Sequence, residues 1–302
     1  MPLHPLAKEL CDQMATVAPL ETLTVPQARE RATEMMKRFG PGEAVADVRD
    51  RTAPGPGGEI PIRFYTPAGK GPFPAMVFFH GGGWVVGDLE TTDFWCRAVT
   101  NASGCIVASV NYRHAPEHKF PAAVEDACAS TEWIAANAAK LNIDPAAIAV
   151  GGSSAGGNLA AVAAIMARDR GGPAIRCQVL NVPVLDHDFE SGSYRKNADG
   201  YGLTRAAMQW FWGHYLKTPA DGAHPHVSPL REKDLRGLPP AFVATAEYEP
   251  LLDEGAAYAK RLQQAGVAVE YRNYAGMVHM FLGPDSIPDL ARYLRAAFAG
   301  RD

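Results

Sequence analysis

No apolar run in this 302-residue chain approaches the roughly 18 residues that a membrane-spanning helix needs, so none is expected. The N-terminal stretch MPLHPLAKELCDQMATVAPL alternates apolar and charged residues. It lacks the continuous apolar centre of a signal peptide, which makes the cytoplasm the expected compartment. Cysteine is sparse and odd in number, at Cys11, Cys96, Cys105, Cys128 and Cys177, and never in CxxC spacing. That pattern argues against a disulfide framework and against a thiolate metal site. Charge of either sign is not in excess: 29 Lys and Arg face 33 Asp and Glu, for a net charge of −4. Neither nucleic acid nor an anionic membrane is an expected partner of such a surface. Repeats, low-complexity tracts and Gly/Ser linkers are also missing. What remains, at 47% hydrophobic and 21% charged, is an ordinary globular chain long enough for one large catalytic domain with an elaboration.

Apolar runs and helical patterns alternate along the chain. APGPGG at 53–58 reads as a hairpin turn between two strand-like runs. Strands are expected at 74–80 (PAMVFFH), 105–113, 147–152 (AIAVGG), 175–184, 240–247 and 267–275. Helices are expected at 121–138, 156–168, 252–265 and 288–299. This order predicts an α/β protein with a mostly parallel sheet covered by helices on both faces, and ligands at the carboxyl ends of its strands. Two stretches stand outside the alternation. One is the helical N-terminus, 1–42. The other is 185–220, where MQWFWGHYL concentrates aromatics after a polar loop and reads as a lid over the carboxyl ends of the strands. The division is thus 1–42 for N-terminal cap helices, 43–184 for the first part of the core, 185–220 for the cap insertion and 221–302 for the rest of the core.

Gly152-Ser153-Ser154-Ala155-Gly156 fits G-x-S-x-G, and its setting matters more than the string. It follows the strand AIAV and opens an alanine-rich helix, which is the arrangement a nucleophile elbow requires. No lysine follows the glycines, so a phosphate-binding P-loop does not fit, and the spacing also departs from G-x-G-x-x-G. His80-Gly81-Gly82-Gly83-Trp84 comes directly after the strand PAMVFF. Its glycines allow backbone N–H groups to face a cleft and bind the oxyanion of a tetrahedral intermediate.

With Tyr112-Arg113-His114-Ala115-Pro116-Glu117-His118-Lys119-Phe120-Pro121-Ala122-Ala123, these motifs carry a family resemblance. The chain resembles the bacterial hormone-sensitive-lipase-like carboxylesterases of the α/β-hydrolase superfamily. The likeness continues through Ser193-Tyr194, Asn197, Gly200-Tyr201, Ser228-Pro229-Leu230, Pro250-Leu251, Asp253-Glu254-Gly255 and His279. It implies a capped α/β-hydrolase fold, a Ser-acid-His triad, no cofactor and short-chain acyl ester substrates. It also implies oxyanion donors at the N–H groups of Gly82, Gly83 and Ala155, and a homodimer paired through an edge strand.

The fold orders its triad serine, acid, histidine. Of the nine histidines only His279 lies beyond the last expected strand. The acid should follow the strand PAFVATAE. The family carries aspartate directly before Pro-Leu, where this chain has Glu249, and Asp253 and Glu247 are rivals. The register favours Glu249, 30 residues ahead of His279 (279 − 249), over Asp253 at 26 (279 − 253). Two further departures are Ser153, where many relatives carry aspartate, and Met280, where the family usually has glycine. Trp84, Met208, Trp210 and Phe211 are expected to contact the substrate. His114-Ala115-Pro116-Glu117-His118 matches the zinc string H-x-x-E-H, but Pro116 interrupts the helical turn that would align the two histidines, so no metal is expected. The expected activity is hydrolysis of a small-molecule carboxylic ester. An amidase, lactonase or deacetylase would use the same triad, and a ligand receptor on this fold would lack His279.

Overall fold

The structure, a computed structural model, describes residues 2–37, 40–279 and 286–300. The chain opens with helices α1 (Pro5–Met14) and α2 (Val25–Lys37), then the hairpin β1 (Asp47–Gly55) and β2 (Gly58–Thr66), followed by β3 (Phe73–Phe79). There follow α3 (Asp93–Ser103), β4 (Ile106–Val110), α4 (Ala122–Ala136), β5 (Ile143–Ser153), α5 (Ala155–Arg170) and β6 (Gln178–Asn181). Helices α6 (Gly192–Lys196) and α7 (Arg205–Tyr215) interrupt the alternation, which resumes with β7 (Ala241–Tyr248), α8 (Leu252–Gln264), β8 (Val269–Val278) and α9 (Ser286–Ala299).

The strands form one eight-stranded sheet in the order β1-β2-β4-β3-β5-β6-β7-β8. The first hairpin pairs antiparallel with a two-residue turn between Gly55 and Gly58, and β2 joins β4 antiparallel. From β4 to β8 every pairing is parallel. Side-chain alternation along β3 explains why helices are needed on both faces. Ala75, Val77 and Phe79 join the core beneath α4, α5 and α8, with Ala127, Leu159 and Leu262. Met76 and Phe78 join the opposite core beneath α3 and α9, with Trp95 and Leu294. Phe78 stacks on Trp95 at 4.4 Å between ring centroids. Helix α5 is buried on all sides from Ala155 to Met166, and its alanines let it run close to the sheet.

The expected elements are present with shifted ends. The strand expected at 105–113 stops at Val110, because Arg113 turns its backbone N–H (2.9 Å) and guanidinium (2.8 Å) to the buried carboxylate of Asp126. The strand expected at 175–184 spans only 178–181, since Val182 takes φ = 41° ahead of Pro183, a conformation a β-branched residue rarely adopts and a strand cannot continue through. A third, small core lies at the carboxyl ends of the last strands. There Ala7 and Cys11 of α1 pack against Val182, Ala246, Met277 and Val278.

Candidate active site

Strand β5 runs into α5 through Ser154, whose φ of 56° and ψ of −118° lie outside the ordinary regions for a side-chain-bearing residue. The turn is possible because the glycines flanking it leave no side chain in the way. A Cβ on Gly152 would sit 2.1 Å from the Gly156 carbonyl oxygen, and one on Gly156 would sit 1.9 Å from that of Phe79. Backbone bonds hold the strained residue in place: Ser154 N–H donates to Asn181 O (2.9 Å), and Ser154 O accepts from the N–H groups of Asn158 and Val184 (both 3.1 Å). Strain of this kind persists only where the surroundings over-determine it.

His279 follows directly on β8. Its Nε2 lies 3.0 Å from Ser154 Oγ and its Nδ1 lies 2.6 Å from Glu249 Oε2. A carboxylate only accepts, so Nδ1 carries the proton and Nε2 receives the bond from the serine hydroxyl. Glu249 is completely buried. Its second oxygen, Oε1, accepts the N–H of Ala246 at 2.7 Å, which folds the side chain back over its own strand end. Both rival acids are engaged elsewhere. Asp253 accepts the N–H of Ser193 (2.8 Å), and Glu247 accepts the N–H of Gly276 (2.8 Å).

The turn that carries Glu249 is braced from the segment between β6 and β7, by residues that the sequence marks only through the family resemblance. Asn197 Nδ2 donates to the Glu249 carbonyl at 3.0 Å, and Ser193 Oγ donates to that of Pro250 at 2.6 Å. Glu254, one turn into α8, is also buried and accepts the N–H of Leu185 at 2.7 Å. Burial pushes its carboxyl well above the ordinary range, with the nearby Asp186 and Glu249 charges adding to the effect.

After β3, the chain turns at Gly81–Gly83 beside the serine. A Cβ on Gly81 would lie 3.5 Å from that of Ser154, one on Gly82 (φ 115°) would strike the Val86 carbonyl oxygen at 2.1 Å, and one on Gly83 would meet the Phe211 ring at 2.2 Å. The N–H groups of Gly82, Gly83 and Ala155 have no acceptor among the described residues. Phe211 of α7 therefore lies against the glycine turn itself. Trp84 is fully buried, its ring stacked on Tyr215 (centroids 4.1 Å apart, planes 5° apart) and against Trp212, so it ties the turn to α7. Met208 is buried in the same core, while Trp210 is half-buried and packs edge-on against His214 at 4.3 Å. Ser153 Oγ receives Asn181 Nδ2 at 3.4 Å, and Met280 lies outside the described residues.

The residues of the zinc string have other partners. Glu117 forms a two-pronged pair with Arg29 (2.8 and 2.6 Å), and His114 Nε2 lies 3.4 Å from His80 Nε2. Among the described residues, no three His, Cys, Asp or Glu side chains converge as a metal-binding group.

Residues 76–283 match the α/β-hydrolase fold family. The chain is 40% identical over 288 residues to the carboxylesterase NlhH of Mycobacterium tuberculosis, covering 93% of this chain and 89% of that protein. It is 45% identical over 249 residues to the carboxylic ester hydrolase LipN of the same organism, covering 80% of this chain and 66% of LipN. Among solved structures it resembles a hyperthermophilic esterase from the archaeon Pyrobaculum calidifontis, with a TM-score of 0.94, 41% identity, and coverage of 98% of this chain and 99% of that one.

Proposed function

The chain belongs to the hormone-sensitive-lipase-like carboxylesterases of the α/β-hydrolase fold, and we propose that Ser154, His279 and Glu249 carry out its hydrolysis of small carboxylic esters. One observation carries the reading. An unbroken hydrogen-bonded line runs from Ser154 Oγ through His279 to the buried Glu249, beside backbone donors with no acceptor of their own. His279 Nε2 takes the serine proton as Oγ attacks the ester carbonyl. The resulting imidazolium is stabilised by the carboxylate 2.6 Å from Nδ1. Negative charge on the former carbonyl oxygen is received by the N–H groups of Gly82, Gly83 and Ala155. Each such donor is worth about 2.7–4 kcal/mol of barrier in measured cases, and the amino end of α5 adds its dipole. His279 returns the proton to the leaving alcohol, and water then releases the acid from Ser154 by the same route.

In this reading, residues 1–42 and 185–220 form the cap over the acyl pocket, and short acyl chains are the substrates. Ser154→Ala should abolish ester hydrolysis and covalent labelling by a fluorophosphonate while the melting temperature stays near that of the parent. Ser153→Ala should keep substantial activity. Labelling that survives in the Ser154 variant would move the nucleophile elsewhere. An acyl-chain series of aryl esters, run beside matching amides and lactones, should give its highest kcat/KM on short esters. If amides or lactones turned over faster, the substrate class would be theirs.

No helix among the described residues is long and apolar enough to cross a membrane. We assign the enzyme to the cytoplasm and to a homodimer paired along β8, which ends the sheet and carries exposed residues at Arg272 and Asn273. Light scattering should give the mass of two chains, and a single-chain mass at micromolar concentration would remove the pairing.

A further inference from the structure

Beside the glycine turn lies a pair of histidines that take no part in the proton transfers above. His80 is fully buried. Its ring is stacked on Tyr112 (centroids 4.4 Å, planes 16° apart), and the Tyr112 hydroxyl donates to the His80 carbonyl at 2.8 Å. Its Nδ1 lies 2.8 Å from the carbonyl oxygen of Gly81. Because a carbonyl only accepts, the 2.8 Å contact places the His80 proton on Nδ1 and leaves Nε2 an acceptor; the Asn111 side chain also faces this ring. His114 meets that acceptor with its own Nε2 at 3.4 Å, edge-on to the His80 ring. His114 must therefore be the donor, with its proton on Nε2.

The carbonyl of Gly81 and the N–H of Gly82 belong to one planar peptide and point in opposite directions. Holding the oxygen on the His80 side thus aims the N–H to the opposite side, as an oxyanion donor. The peptide has unusual freedom to turn over, since it lies between two glycines and Gly82 already has φ = 115°. A fixed proton on His80 Nδ1 removes that freedom. Gly87 keeps the space clear, because a Cβ there would lie 2.7 Å from both the Gly81 oxygen and His80 Nδ1. Burial together with the neighbouring His80 pushes the His114 imidazole down to about 3, so both rings are neutral near pH 7 and the donor–acceptor order is preserved.

We infer that His114 is a positioning residue: by donating to His80 Nε2 it sets the His80 tautomer, which pins the Gly81–Gly82 peptide and aims the Gly82 N–H at the oxyanion. The inference rests on the assignment of Ser154 and Gly82 made above. Complete loss of one oxyanion donor lowers kcat by about 10²–10³, so a donor that is only partly misaimed should cost roughly tenfold. His114→Phe keeps an aromatic ring and removes the N–H. Its kcat should fall by about tenfold with KM little changed, and an electrophilic ketone that forms a tetrahedral adduct should lose affinity by a similar factor. His114→Gln keeps an N–H at similar reach and should restore most of both. Long-range ¹H–¹⁵N spectra of the unmodified enzyme should place the His80 proton on Nδ1, a result that does not depend on any variant folding. Parent-like kcat in His114→Phe, a His114→Gln variant as slow as His114→Phe, or an His80 proton on Nε2 would each overturn the inference. Those failures leave hydrolysis at Ser154 intact, whereas turnover retained in Ser154→Ala would remove the assignment beneath it.

Discussion

A glutamate reaches one methylene further than an aspartate, and at position 249 the Ala246 N–H takes up the extra length. It draws one carboxylate oxygen back at 2.7 Å and leaves the other 2.6 Å from His279. Glu249→Gln keeps the shape but removes the charge that stabilises the imidazolium, and it can present an amide N–H to Nδ1, favouring the wrong tautomer. Its kcat should drop by up to roughly 10⁴, the scale seen when a serine-protease acid is neutralised. Glu249→Asp should retain part of the activity, because the charge survives and only reach is lost. Asp253→Asn should stay within about tenfold of the parent, since Asp253 serves the Ser193 N–H and not His279. Steady-state kinetics on one aryl ester checks all three. A near-normal Glu249→Gln beside an inactive Asp253→Asn would exchange their roles. That Glu249 stands thirty residues ahead of His279 could be read from the chain; the backbone contact that accommodates its length could not.

Helix α7 owes its start to Thr204, whose hydroxyl caps the N–H of Ala207 at 2.9 Å, and its position to aromatics packed from Trp84 to Tyr215. Composition alone presents MQWFWGHYL as one apolar block. Packing distinguishes its members: Met208, Phe211 and Trp212 all lie in the core, and the Phe211 ring also lies against Gly83. Phe211 touches the glycine turn at Gly83, so truncating it should open space beside the reacting carbonyl. Phe211→Ala is expected to shift the kcat/KM optimum toward longer acyl chains and to lower stability by about 3–5 kcal/mol as a buried aromatic is lost. A profile identical to the parent's across the acyl series, in a variant destabilised to that extent, would make Phe211 a core residue only.

Across the whole molecule, the sheet brings distant segments into one site: Ser154 and His279 are 125 residues apart and Glu249 lies behind them. Glu254 is part of the same connection, joining α8 to the chain leaving β6 through Leu185 N–H. Its carboxyl is raised by burial, so above the ordinary glutamate pKa of about 4.3 the folded protein binds more protons there than the unfolded chain does. Stability from this group therefore declines as pH rises from that value up to the folded pKa. Glu254→Gln keeps an oxygen to accept from Leu185 and removes the titration. Its melting temperature should fall less than the parent's between pH 5 and pH 8. Parallel melting curves over that range would show that the charge is fully compensated in the fold.

The alternation of buried strands with helices, the strand-turn-helix around Gly152–Gly156 and the glycine turn after β3 could all be read from the chain alone. Each depends on neighbours in sequence, through side-chain periodicity and the steric room a missing Cβ leaves. The candidate histidine could be read as well, because the order of the strands leaves only one that follows the last of them. Other features depend on atoms brought together from far along the chain. They include the brace of Ser193 and Asn197 on the turn carrying Glu249, the contact of His80 with His114, and the contact of Phe211 with Gly83. Hydrogen bonds at 2.6 to 3.4 Å are decided by where backbones cross, and no local pattern of residue types encodes that crossing.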